Sequence, residues 1–313
     1  MSVAFVFPGQ GSQYIGMGRE FYENYPEARA VFDNADEILG FSISEMCFSG
    51  REEELNKTIN TQPAVLTTSV ACLEVLRQAG ALPPSAVAGH SLGEYTALVA
   101  AGSIPLADAV RLVRGRGQYM QEAVPLGAGG MAAVMGLSGE RVQELCRNAS
   151  DFGIIEAVNL NCPGQVVVAG DNAGLEAAKR LAKESGAKRF ITLPVSAPFH
   201  SSMMKPAGDR LSVDLERISI AEPTIPVVSN VTAEFAHTGT EIRELLIRQV
   251  YSPVRWEESI RLLIQSGVTA IIEVGPGKVL CGLVKKISRE IKVGNIEDRA
   301  SLEKFLALVR EVS

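Results

Sequence analysis

The apolar stretch SAVAG (residues 85–89) runs without a linker into HSLGEY and then into TALVAAG. The join reads Gly-x-Ser-x-Gly, from Gly89 through Ser91 to Gly93. A strand that turns this sharply into a helix needs glycines, because they allow strained backbone angles and close packing that a Cβ would block. The turn leaves its serine at the apex, at the end of a sheet. An ordinary strand–helix cap has the same pattern, so the rest of the chain must supply what a reactive serine needs.

The surrounding sequence alternates strand and helix patterns. Strands are expected in SVAFVF, SAVAG, TIPVVSN and TAIIEV. Helices are expected over 16–40, over 62–80, in LGEYTALVAAG and in PLADAVRLVRGRGQYMQEAV. A further helical stretch, GTEIRELLIRQVYSPVRWEESIRLLIQSG, breaks near Pro253. Alternation of this kind implies a mostly parallel α/β sheet. Between them, residues 127–194 read strand, helix, strand, strand, helix, strand, the order of a ferredoxin-like unit. Ser138 and Asp171 are suited to start its two helices. The expected architecture is α/β: an α/β-hydrolase-like domain of residues 1–126 and 195–313, and an inserted ferredoxin-like (βαββαβ) domain of residues 127–194.

With 313 residues, 46% of them hydrophobic, the chain can bury a large core. Its net charge of −6 does not favour nucleic acid or an anionic membrane. The five cysteines are scattered and lack CxxC spacing, which suits a reducing cytoplasm. No apolar run has the length of a membrane span, and MSVAFVFPGQ lacks the basic start of a signal peptide. GAGGMA precedes a strand instead of following one, so it is no dinucleotide loop. GPGKVL lacks parts of a phosphate loop, and no cluster has metal-ligand spacing.

A serine nucleophile needs a base within hydrogen-bond reach. There are three histidines. His90 adjoins Ser91, where side chains on a sharp turn diverge, and His237 sits in a polar loop. His200, in VSAPFHSSMM, follows a strand end, where groups gather in α/β sheets. It is the best base. The acids between Ser91 and His200 that could orient it, Asp151 and Asp171, fall inside the insert, so a group other than a carboxylate is expected. The backbone N–H of Leu92 and one in PGQGSQ could stabilise an oxyanion. Arg116 lies on the apolar stripe of Ala109, Val113 and Met120, while Arg111 and Arg114 do not. An inward guanidinium needs either a structural ion pair or an anionic ligand such as a carboxylate. Gln249 shares a helical face with Ile242, Leu245 and Leu246, and a buried amide must find partners.

FVFPGQGSQ, AGHSLGEY, the run from Arg116 to QYMQEAVP, NCPGQVVVAG, PFHSSMM, RQVYSPVRW and EVGPGKVL occur in that order along essentially the whole chain. Together they closely resemble the malonyl-CoA:acyl carrier protein transacylases. The resemblance implies that Ser91 forms a malonyl ester, with His200 as base. It implies an oxyanion hole from the N–H groups of Gln10 and Leu92. Arg116 would bind the malonyl carboxylate, and the backbone carbonyl of Gln249 would orient His200. His90 and Asn161 would support the pocket, and Phe199 would exclude an α-methyl branch. Malonyl-CoA and the phosphopantetheine of an acyl carrier protein are the implied partners, with no tightly bound cofactor. A polyketide-type acyltransferase, an acyl-carrier hydrolase and a non-catalytic thioester sensor are the alternatives. Gly117 stands where relatives often carry a larger residue, and a looser clamp would follow. Lys179, Arg180, Lys188, Arg189, Lys285, Lys286 and Arg289 are the basic residues available for an acidic carrier.

Overall fold

A computed structural model describes residues 2–195 and 197–310. The last three residues of the expected large domain lie outside them. Among the described residues, ten strands form two sheets. The first contains β1 (Val3–Phe7), β2 (Ala86–Gly89), β7 (Val227–Val228), β8 (Phe235–Ala236), β9 (Ala270–Val274) and β10 (Lys292–Ile296). Its order is β10-β9-β1-β2-β7-β8. Every pairing is parallel except that of β8 with β7. The second sheet holds β3 (Gly129–Met135), β4 (Ile155–Cys162), β5 (Gln165–Asp171) and β6 (Arg189–Thr192). It is antiparallel, in the order β4-β5-β3-β6.

The period of two along each strand sorts the cores. Phe5, Phe7, Val87, Val227 and Ile272 join one cluster, and Ala4, Val6, Ala86, Ala88 and Ile271 join the one across the sheet. A strand covered on both faces is apolar throughout, as VAFVF is. In the second sheet Ala132, Val134, Val166 and Val168 pack with the helices Gly139–Ala149 and Asn172–Glu184. The alternate residues Met131, Ala133, Val167 and Ala169 belong to the first core cluster instead. The two sheets thus share a core. They are also stitched by backbone, since Leu160 N–H donates to Val254 O (2.9 Å) and Val254 N–H to Val158 O (2.8 Å). Ser138 and Asp171 cap their helices as expected, accepting from the N–H groups of Arg141 and Gly174.

The helix expected over 16–40 is two helices, Arg19–Asn24 and Pro26–Leu39, parted by an extended Tyr25, and further elements also differ from the sequence reading. The helix expected over 62–80 spans Thr58–Gln78, with Pro63 inside it. Proline cannot donate to the carbonyl four residues back, that of Ile59. Arg114 Nη1 donates to that carbonyl instead (3.0 Å), so the helix starts a turn before its proline. TIPVVSN contributes only a two-residue strand, and FA of the expected loop EFAHTGT pairs back on it. The five cysteines are all unpaired. No helix among the described residues is long and apolar enough to cross a membrane.

Candidate active site

The parallel strands deliver their C-terminal ends to one place. β1 leads into Gln10, β2 into Ser91 and β7 into Asn230. Ser91 takes a φ of 52°, and so the strain lies on the serine and not on its glycines. The glycines serve close approach. A Cβ on Gly89 would sit 1.9 Å from the Gly93 carbonyl, and one on Gly93 would sit 2.0 Å from Phe7 O. These are backbone obstacles that no rotamer can relieve. Gly93→Ala is expected to cost about 3 kcal/mol, read from denaturant midpoints. A change within about 0.5 kcal/mol, the range of ordinary surface substitutions, would contradict this account of the turn.

Ser91 Oγ lies 2.7 Å from His200 Nε2, and His200 Nδ1 lies 2.8 Å from the backbone oxygen of Gln249. A carbonyl only accepts, so Nδ1 carries the proton and Nε2 is free to accept one from the serine. No carboxylate takes part. His200 is itself strained, with a φ of 65°. Burial, with the Arg116 charge second, lowers its pKa from 6.5 to about 3. Burial also lowers that of His90. The His200 imidazole is expected to keep neutral-form ring nitrogen shifts from about pH 8 to about pH 5 in an NMR titration, and the His90 midpoint is expected below the ordinary imidazole value. A midpoint near the ordinary imidazole value would contradict their environment.

Burial of the His200 imidazole also ties folding stability to pH. Unfolded chain protonates the His200 imidazole near 6.5, whereas the folded chain resists to about 3. The contribution is therefore present above 6.5 and lost as pH falls from 6.5 towards 3. Burial raises the Glu94 and Glu273 carboxyls from 4.5 to about 7, with the opposite sign. Their contribution is present below 4.5 and lost as pH rises to about 7.

Arg116 is 1% exposed, on the helix Leu106–Glu122. Nη1 donates to Gln62 Oε1 (2.7 Å), and Nη2 donates to Gln249 Oε1 (2.8 Å) and Ser91 Oγ (3.0 Å). Among the described residues no acid forms a salt bridge with it. Arg111 instead points outward to Asp108. Gly117 does not loosen this arrangement. A Cβ there would meet Thr58 O at 2.7 Å and Ile59 Cα at 2.9 Å, so the glycine lets two helix backbones close on each other. The expected looser clamp is corrected: the tight approach seats Gln62 opposite Arg116.

Gln10, Leu92, Met120, Met131, Leu193 and Phe199 help line the cleft beside Ser91 and His200. No hydrogen bond among the described residues uses the backbone N–H of Gln10 or Leu92. His90 turns away from the serine, as expected. Its Nε2 lies 2.8 Å from Asn161 Oδ1, and its ring packs on Trp256 with centroids 5.4 Å apart. His237 is exposed and takes no part. Asp171 caps a helix and Asp151 is exposed, so neither reaches His200. The basic residues noted above are all exposed, on or beside the helices Asn172–Glu184 and Val279–Ile287. The GPGKVL turn has a structural use, since Glu273 accepts from the N–H groups of Leu280 (3.1 Å) and Cys281 (2.8 Å) at a helix start. Among the described residues there is no group of side chains able to hold a metal ion.

Sequence reasoning missed three residues. Gln62 is hidden because the sequence pattern starts the helix at that residue, whereas the helix begins at Thr58. Asn230 holds the elbow: its Oδ1 accepts from Ser91 N–H and its Nδ2 donates to Gly89 O, both at 2.7 Å. Its position just past a strand end was the available signal. Glu94 is the one charged residue in the helix Gly93–Ala100, most of which is buried.

The chain matches the family model described as Acyl transferase domain over residues 4–305. It is 50% identical over 310 residues to the malonyl CoA-acyl carrier protein transacylase of Bacillus subtilis, covering 99% of this chain and 98% of the relative. The chain belongs to the malonyl CoA-acyl carrier protein transacylase family of acyltransferases. The Escherichia coli K12 relative of the same name is 47% identical over 305 residues, covering 97% and 99% of the two chains. The acyl-carrier-protein S-malonyltransferase of Burkholderia pseudomallei has the same fold at a TM-score of 0.96 and 50% identity, covering 98% of this chain and all of that one. A malonyl-transacylase solved with a type II PKS acyl-carrier protein superposes at 0.96 and 44% identity, covering 98% and 99%.

Proposed function

We propose that this acyltransferase moves a malonyl group from malonyl-CoA to the phosphopantetheine thiol of an acyl carrier protein, for fatty acid synthesis. The observation that carries this reading is the Arg116 guanidinium. It is buried, touches no acid, and sits 3.0 Å from the serine oxygen. A cation placed there suits an acyl group that ends in a carboxylate.

Ser91 Oγ attacks the thioester carbonyl while its proton passes to His200 Nε2. The N–H groups of Gln10 and Leu92 hold the oxyanion. Collapse breaks the C–S bond, and the proton returns from His200 to the departing coenzyme A thiol. The carrier thiol then gives its proton to His200, attacks the malonyl ester, and restores Ser91 with that proton. Gln249 O keeps the imidazole in the productive tautomer throughout. Phe199 closes the cleft to branched acyl groups, and His90 with Asn161 fixes its wall. Malonyl-CoA enters as a substrate, and no step needs a resident cofactor.

The four-stranded order matches a ferredoxin-like insert of residues 127–194, and the serine elbow on a parallel sheet supports an α/β-hydrolase-like remainder, residues 1–126 and 195–313. A cytoplasmic location suits the unpaired cysteines.

The test is intact mass after brief incubation with malonyl-CoA alone, then with holo carrier protein. One added malonyl group, discharged onto the carrier, is expected. An adduct lost to water at the same rate with or without carrier would make the chain a hydrolase. No adduct would favour a sensor. Carriers of fatty acid and polyketide type, tried side by side, separate the two pathways.

A further inference from the structure

Glu94 is a buried carboxylate that the proposed chemistry leaves idle. It is 3% exposed, in the first turn of the helix that follows Ser91. No cation forms a salt bridge with it among the described residues. Its Oε2 accepts from Gln249 Nε2 (2.7 Å) and from Asn230 N–H (3.1 Å). The Gln249 amide is fully buried between this carboxylate and Arg116.

A primary amide has two ends of similar shape and opposite polarity, so its neighbours decide which way it points. Glu94 Oε2 is the acceptor in both of its bonds, so any proton on the carboxyl sits on the other oxygen, and Ser91 O, 2.9 Å from the same Nε2, also only accepts. Both demand the NH₂ end. The oxygen is then turned to Arg116 Nη2. A flipped amide would set its donors against the guanidinium and its oxygen against a carboxylate.

We propose that Glu94 is a positioning residue for acyl selection. Acting through the Gln249 amide, it holds Arg116 beside Ser91 and polarises that link. A carboxylate in direct contact would occupy the guanidinium and close it to an anionic acyl group. One amide away, it steadies the cation and leaves it available. Asn230, bonded to both Glu94 and the serine turn, keeps the three in register. This rests on the malonyl reading of Arg116 given above.

The experiment measures rates of covalent loading from malonyl-CoA and from acetyl-CoA. Wild type comes first. If it does not load malonyl, the functional reading fails, whatever Glu94 does. In Glu94→Gln the new side chain can offer either end to Gln249, and the orientation is lost. The malonyl-to-acetyl ratio of kcat/KM is expected to fall about tenfold or more, the scale of one charge-assisted hydrogen bond. Glu94→Gln combined with Gln249→Leu is expected to lose no more selectivity than the worse single variant, because both cut one link. Equal losses for the two donors, or multiplying losses of selectivity in the double variant, would overturn the proposal. Glu94→Asp keeps the charge and shortens the reach. It carries the same expectation in smaller measure and covers the case in which Glu94→Gln does not fold.

Discussion

Ser91→Ala is expected to take no malonyl adduct and to lose about six orders of magnitude in transfer rate, the scale found when a nucleophile is removed from a serine–histidine pair. Ser91 Oγ is the oxygen that both His200 Nε2 and Arg116 Nη2 approach, at 2.7 and 3.0 Å. Without it, neither neighbour can form the ester. The variant should fold, because alanine occupies the same space at the apex and suffers the same positive φ. Ser91→Ala thus separates chemistry from stability, and thermal unfolding beside mass spectrometry would check both. A variant that still gains one malonyl group would place the nucleophile elsewhere. Removing His200 as well should add little, since the pair acts as a unit. A further loss of the same size in the double variant would mean that the two residues act independently.

Much of this arrangement was legible before any coordinates. Gly-x-Ser-x-Gly pointed to the elbow because its glycines are steric requirements, which one sequence displays directly. Arg116 stood out because a charge on an apolar stripe must have a reason, and helical periodicity reveals the stripe. His200 emerged by elimination among three histidines. What stayed hidden depends on contacts between distant residues. Gln62 and Arg116 are 54 positions apart, and they meet because Gly117 lets the two helices close. Asn230 reaches the serine turn across 139 positions. No local pattern encodes either meeting. The short β7–β8 pair was missed for a related reason: two-residue strands have no periodicity to read. Pro63 misled in its own way, since the rule that proline ends helices assumes no other donor for the freed carbonyl, and Arg114 is one.

Arg116→Ala is expected to lower kcat/KM for malonyl-CoA by about 10³-fold, and for acetyl-CoA by far less. Loss of one partner from a buried charged contact costs about 3–5 kcal/mol, and under the proposed role of Arg116 only malonyl would make such a contact. Acetyl transfer should still suffer somewhat, because Nη2 also touches Ser91 Oγ and helps to place it. Arg116→Lys distinguishes charge from shape. One ammonium group cannot copy the planar fork that reaches Gln62 and Gln249 from separate nitrogens, so charge alone should not restore selectivity. About a hundredfold loss for malonyl is expected there, on the scale of a charge-assisted hydrogen bond with its geometry broken. Parallel loading assays with the two donors read both variants. Should malonyl and acetyl transfer fall together in Arg116→Ala, the guanidinium would be holding the serine and not the acyl carboxylate. Selectivity would then have to arise from the apolar wall of Met120, Met131 and Phe199.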